Sequence, residues 1–255
     1  MNVRRALLRS LLPVALIIGL SACGSTAART GTAAGATTSG SRTPVVYVAV
    51  GASETVGTGA EQGVRQAWPQ LLYNDALPPG AVYYNVGIPG ATTQMAQRSA
   101  LPEALAVHPT IVTVWLNVND LLAGVAPDVY EAQLGTLVHA LRQRGSARVL
   151  VANTPYLDRL PAVVKCLSAS PPQGSQCPPG IGTPTASELN ARVDQYNAAI
   201  ARMAQREGAL LVDLHAQGEV ADQHPDWISS DGFHPSELGY VAIAARFEAV
   251  LRGTN

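Results

Sequence analysis

VVYVAVGAS, residues 45–53, runs six apolar residues into a glycine and presents a serine two positions later. A β-branched run with no polar alternation is the pattern of a strand covered on both faces, as in a parallel sheet flanked by helices. Outward from it, the runs VYYNV (82–86), IVTVWL (111–116), RVLVAN (148–153) and ALLVDL (209–214) read the same way. Helical patterns separate them: Trp68 to Leu77, a segment after Thr92, Val129 to Arg144, Ala186 to Arg206, and a last one from Pro235 to Arg252. Five strands alternating with helices predict one doubly wound α/β domain, and 255 residues at 47% hydrophobic content suffice for its core. No internal repeat or second domain is visible.

In such sheets ligands bind at the carboxyl ends of the strands, so chemistry is sought just after each apolar run. Those positions hold Ser53, then NVGIPG (85–90), then Asn117-Val118-Asn119-Asp120; Asp231-Gly232-Phe233-His234 precedes the last helix. A serine hydroxyl attacks an ester only if a base takes its proton. Of the five histidines, His108 and His139 read as structural or surface residues, and His215 and His224 lie in the loop after the fifth strand. His234 stands apart because Asp231, three residues earlier, can hold one imidazole nitrogen and leave the other for a hydroxyl. An oxyanion also needs donors, and the N–H groups of Ser53 and Gly90 and the Asn119 amide are candidates. Taken singly, each feature reads as a turn or a helix cap; all occur together at strand ends.

GASETVG, NVGIPGATT, LNVNDL and SSDGFHPSELGYVAIA resemble the four sequence blocks of the SGNH/GDSL hydrolase family, from about Val45 to the C-terminus. The resemblance implies a flavodoxin-like three-layer α/β/α sandwich with a five-stranded parallel sheet. It also implies Ser53 as nucleophile, Ser53, Gly90 and Asn119 as the oxyanion hole, and Asp231 and His234 as the rest of a triad. Two positions depart from the family pattern. Ala52 stands where Asp is usual, and Asn117 replaces a Gly, with an altered pocket rim as the expected result. A Gly-x-Ser-x-Gly elbow is excluded, since Thr55 occupies the last position.

The chain opens on Arg4, Arg5 and Arg9 ahead of LLPVALIIGL, an apolar run too short to span a membrane as a stable anchor. Leu20-Ser21-Ala22 before Cys23 resembles the lipobox of bacterial lipoproteins, so residues 1–22 read as a signal peptide and Cys23 as the acylated mature N-terminus. Ordinary cleavage near Ala22 and an uncleaved anchor are the competing readings. Residues 23–43 lack any aliphatic side chain larger than Ala and read as a flexible tether reaching roughly 25 Å, with the domain occupying 44–255.

Without the three leader arginines, 17 basic residues become 14 against 18 acidic, and no basic stripe suggests nucleic acid. Cys166 and Cys177 bound CLSASPPQGSQC, read as irregular loop closed by a disulfide; a metal site there would lack further Cys or His ligands at the required spacing. The segment from Tyr156 to Pro184 is the expected specificity lid.

Together these readings predict a monomeric, extracytoplasmic, membrane-anchored lipoprotein that hydrolyses a small-molecule, lipid or glycan ester through an acyl-enzyme, with no metal or organic cofactor. An O-acyltransferase or a carbohydrate O-acetylesterase would use the same residues. A non-catalytic surface binding lipoprotein on this scaffold is the alternative of another class, and the full serine, Gly, Asn and Asp/His set argues against it.

Overall fold

The opening run forms β1 (Val46–Gly51) in a computed structural model that describes residues 44–167, 177, 185–216 and 223–253. The leader, Cys23, the tether, and positions 168–176 and 178–184 of the expected lid lie outside the described residues. Four further strands follow, β2 (Val82–Asn85), β3 (Ile111–Trp115), β4 (Arg148–Ala152) and β5 (Leu210–Val212). All pair in parallel, in the order β2-β1-β3-β4-β5.

The continuous apolar runs are explained by how the pleat divides them. Val48 and Val50 of β1, Val112 and Val114 of β3, and Val149 and Val151 of β4 enter one core. Tyr47, Ala49, Trp115, Leu150 and Ala152 enter the other. Each face therefore has its own helical cover. Helices α2 (Thr93–Ala106), α4 (Pro127–Arg142) and α6 (Ala186–Glu207) pack on the first face, burying Ala96, Ala100, Leu134, Val138, Val193 and Ile200. The second face takes α1 (Trp68–Ala76) and α7 (Glu237–Arg252), where Trp68 stacks on Phe247 with ring centroids 4.0 Å apart. Two short helices, α3 (Val118–Leu122) and α5 (Pro161–Leu167), are also present. The three-layer α/β/α sandwich with a five-stranded parallel sheet is therefore as expected.

Element boundaries differ from the sequence expectation where side chains compete for the backbone. The last helix starts at Glu237, because Ser236 is its N-cap, accepting from Gly239 N at 3.3 Å and donating to Asp226 O at 2.6 Å. Pro235 instead forms an isolated bridge with Ile228. β5 stops at Val212, since the Asp213 carboxylate accepts from Asn153 Nδ2 at 2.7 Å and from Ala216 N at 2.9 Å, turning the chain. Cys166 lies on α5 and not in irregular loop; Pro161 at the first position and Val163 and Cys166 three apart on one buried face are the signal. It is disulfide-bonded to Cys177, with the Cα atoms 5.6 Å apart.

The chain leaves β1 for one sheet edge at β2 and returns to the other side at β3, so the order reverses between β1 and β3, the crevice where open α/β sheets bind ligands. Among the described residues no helix is long and apolar enough to cross a membrane.

Candidate active site

Ser53 lies in the turn that follows β1, closed by Thr55 N to Ala52 O at 3.1 Å and Thr58 N to Ser53 O at 3.0 Å. Ala52, in place of the usual acid, is buried in the core beneath it. Asn119 is on α3, directly after the neighbouring strand β3. Gly90 comes after β2, and three hydrogen bonds tie its segment to the other two. Asn85 Nδ2 donates to Thr55 O at 2.7 Å, Ile88 N to Gly51 O at 3.0 Å, and Asn119 Nδ2 to Ala91 O at 3.0 Å. Asp120 adds a fourth tie: its buried carboxylate accepts from Thr93 N at 2.9 Å and Thr93 Oγ1 at 3.2 Å, holding the start of α2. Burial pushes that carboxyl up to about 6, with the Thr93 hydrogen bonds opposing the rise.

His234 and Asp231 share one tight turn. Asp231 Oδ1 accepts from Ser229 Oγ at 2.8 Å, Phe233 N at 2.8 Å and His234 N at 2.9 Å, while Oδ2 meets His234 Nδ1 at 2.6 Å. On the far side of the ring, His234 Nε2 is 3.1 Å from Ser53 Oγ, across 181 positions of sequence. Nδ1–H donates to the carboxylate, so Nε2 carries the lone pair that faces the hydroxyl.

Partial burial of Asp231 would raise its pKa, but the His234 contact and the Phe233, His234 and Ser229 donors outweigh this and lower it to about 2. The folded value lies below the roughly 3.9 of an unfolded carboxylate, so Asp231 contributes stability above about pH 4 and loses it as the pH falls toward 2. Urea denaturation from pH 2 to 5 should therefore show wild type more stable than Asp231→Asn above pH 4, with the gap closing near pH 2. A gap constant with pH would refute the assignment.

No hydrogen bond among the described residues uses the Ser53 or Gly90 N–H. Gly90 has φ +77°, a left-handed conformation that glycine adopts without penalty, and it is exposed. Asn119 Nδ2 has one N–H on Ala91 O and a second to spare. Asn117, expected at the pocket rim, is instead buried, donating to Ala152 O at 3.3 Å and bracing β3 against β4.

The other histidines are engaged elsewhere. His215 Nδ1 donates to Thr154 O at 2.9 Å, and its ring stacks on Tyr156. His224 stacks on Trp227, His139 meets Glu207 at 3.1 Å, and His108 occupies a left-handed turn after α2. Among the described residues no group of three His, Cys, Asp or Glu is placed to hold a metal ion.

This arrangement coincides with a match over most of the chain: residues 49–242 fit the model of the GDSL-like lipase/acylhydrolase family. The chain belongs to that family. As a GDSL hydrolase it acts on carboxylic esters. Solved structures agree in fold. A lipase/acylhydrolase from Enterococcus faecalis superposes with a TM-score of 0.61 at 21% identity, over 82% of this chain and 96% of that one. An extracellular lipase from Streptomyces rimosus gives 0.57 at 17%, over 83% and 100%. The acetylxylan esterase from Geobacillus stearothermophilus gives 0.58 at 19%, over 81% and 94%. No curated protein matches the chain.

Several supports of this GDSL site were not singled out from sequence. Ser229, in the quoted SSDG, orients Asp231, and Asp120 pins the start of α2 after the Gly90 segment. Gly59, with φ +98°, lets the serine loop approach the histidine turn: a Cβ there would lie 2.9 Å from His234 Cβ and 3.0 Å from Ser229 Oγ. Nothing in the string GTGAE announces this contact. Gly59→Ala should displace the imidazole and lower kcat/KM for ester hydrolysis by about a hundredfold. Wild-type kinetics in that variant would show that the approach is not needed.

Proposed function

We propose that this GDSL hydrolase is an exported, lipid-anchored serine esterase that works through an acyl-enzyme on small-molecule, lipid or glycan esters. The observation that carries the reading is the unbroken chain of contacts from Asp231 Oδ2 to His234 Nδ1 at 2.6 Å and from His234 Nε2 to Ser53 Oγ at 3.1 Å. Ser53 Oγ attacks the carbonyl carbon while its proton passes to His234 Nε2, and the carbonyl electron pair becomes the oxyanion. The Ser53 and Gly90 N–H groups and the free Asn119 N–H receive that charge. The carbon–oxygen bond to the alcohol then breaks, and the proton on Nε2 goes to the departing oxygen. Water, deprotonated in turn by His234, attacks the acyl carbon; the bond from that carbon to Ser53 Oγ breaks, the proton on Nε2 returns to Oγ, and the acid leaves. Asp231, charged wherever such an assay is run, stabilises the imidazolium formed in both halves.

A p-nitrophenyl phosphonate tests the scheme directly: it should release one equivalent of p-nitrophenol and leave its mass on the peptide bearing Ser53. Labelling elsewhere, or continued turnover after labelling, would sink it.

Export and lipid attachment are supported by Arg4, Arg5 and Arg9 ahead of LLPVALIIGL, by Leu20-Ser21-Ala22 before Cys23, and by a disulfide suited to an oxidising compartment. Cys23→Ala should move the protein from the membrane fraction to the soluble one. Retention in the membrane would rule out acylation at that cysteine.

A further inference from the structure

Ser53 has one hydroxyl proton and two acceptors in reach. One is His234 Nε2 at 3.1 Å; the other is Glu54 Oε2 at 3.3 Å. Catalysis needs the proton on the path to His234, so a carboxylate beside the nucleophile competes with the base. Its negative charge also opposes an oxyanion nearby. Among the described residues Glu54 has no cation within ion-pair distance.

Glu54 also forms part of the wall of a cavity of about 90 Å³. The wall is otherwise mostly apolar and rich in rings, chiefly Trp115, Leu157, Trp227, Phe233 and Ile243. The other charged wall residue, Arg159, sits with its guanidinium 4.6 Å from the centre of the Tyr156 ring. Phe233 and Pro235 belong to the wall and flank His234, the residue that returns a proton to the departing alcohol. The cavity therefore adjoins the histidine turn. Aromatic rings beside a carboxylate are the chemistry that recognises alkylammonium groups.

We propose that Glu54 is a specificity-determining residue that selects esters whose alcohol carries an alkylammonium group, seated in this cavity. The inference rests on Ser53 as nucleophile. The bound cation draws the Glu54 carboxylate off the serine hydroxyl, so the proton is left to His234, and it offsets the charge that otherwise opposes the oxyanion. A neutral ester of the same shape meets the unneutralised carboxylate.

The test compares acetylcholine with 3,3-dimethylbutyl acetate, which has the same shape without the charge, using the mature chain, Glu54→Gln and Ser53→Ala. Wild type should favour acetylcholine about tenfold in kcat/KM, and Glu54→Gln should bring the ratio to about one. Tetramethylammonium should inhibit wild-type hydrolysis of the neutral ester competitively, and heat-denaturation scans should show it stabilising wild type and not Glu54→Gln; the wild-type inhibition stands even if the variant folds poorly. A wild-type ratio near one, an unchanged ratio in Glu54→Gln, or no competition by tetramethylammonium would overturn the assignment. Hydrolysis retained in Ser53→Ala would instead remove the nucleophile, a separate failure.

Discussion

Ser53→Ala and His234→Ala are each expected to cut kcat for p-nitrophenyl acetate by about a millionfold, and the double variant should lose little more. The reason is geometric. Removing the hydroxyl leaves His234 Nε2 nothing to deprotonate, and removing the imidazole leaves the hydroxyl proton without its acceptor at 3.1 Å. The two act on one proton, so their effects do not add. Residual hydrolysis in all three variants should be alike, supplied by the oxyanion donors alone. Initial rates with the purified chain, checked for intact folding by circular dichroism, decide the matter. Losses that multiply in the double variant would mean that the two residues act independently, and wild-type rates in Ser53→Ala would end the nucleophile assignment.

Asn119→Ala is expected to lower kcat by about a hundredfold to a thousandfold with KM little changed. The Asn119 amide gives one N–H to Ala91 O at 3.0 Å, and the other is the donor proposed for developing charge. Charge develops only in the transition state, so the loss should fall on kcat. Because the same side chain anchors the Gly90 segment, the variant should also lose roughly 1 kcal/mol of stability, the usual worth of one such hydrogen bond. Thermal denaturation separates the two effects. A rise in KM at constant kcat would instead make Asn119 a ground-state binding group.

The fold was legible in large part because its signal is local. An apolar β-branched run is the same pattern wherever it occurs, and five of them separated by helical segments admit few topologies. Two misplaced boundaries share one cause, a side chain taking a backbone group: Ser236 caps α7, which starts two residues after Pro235, and Asp213 ends β5. Asn117 is expected at the pocket rim because it stands where the family pattern has Gly; burial and its bond to Ala152 O make it a brace.

Sequence by itself determined which chemical groups follow the strands, the hydroxyl of Ser53, the glycine at 90 and the amide of Asn119, and which precede the last helix, the Asp231/His234 turn, whose spacing is local enough to read without a structure. Tertiary structure alone decided that Nε2 of His234 faces Ser53 across 181 positions, that Gly59 makes room for that approach, and that Glu54 stands as a second acceptor on the same proton. The physical reason is range. Propensity and periodicity act over a few residues, whereas these contacts arise from the packing of a loop after β1 against a turn before α7. Which carboxylate lies near a hydroxyl is settled by that packing, and residue spacing carries no record of it.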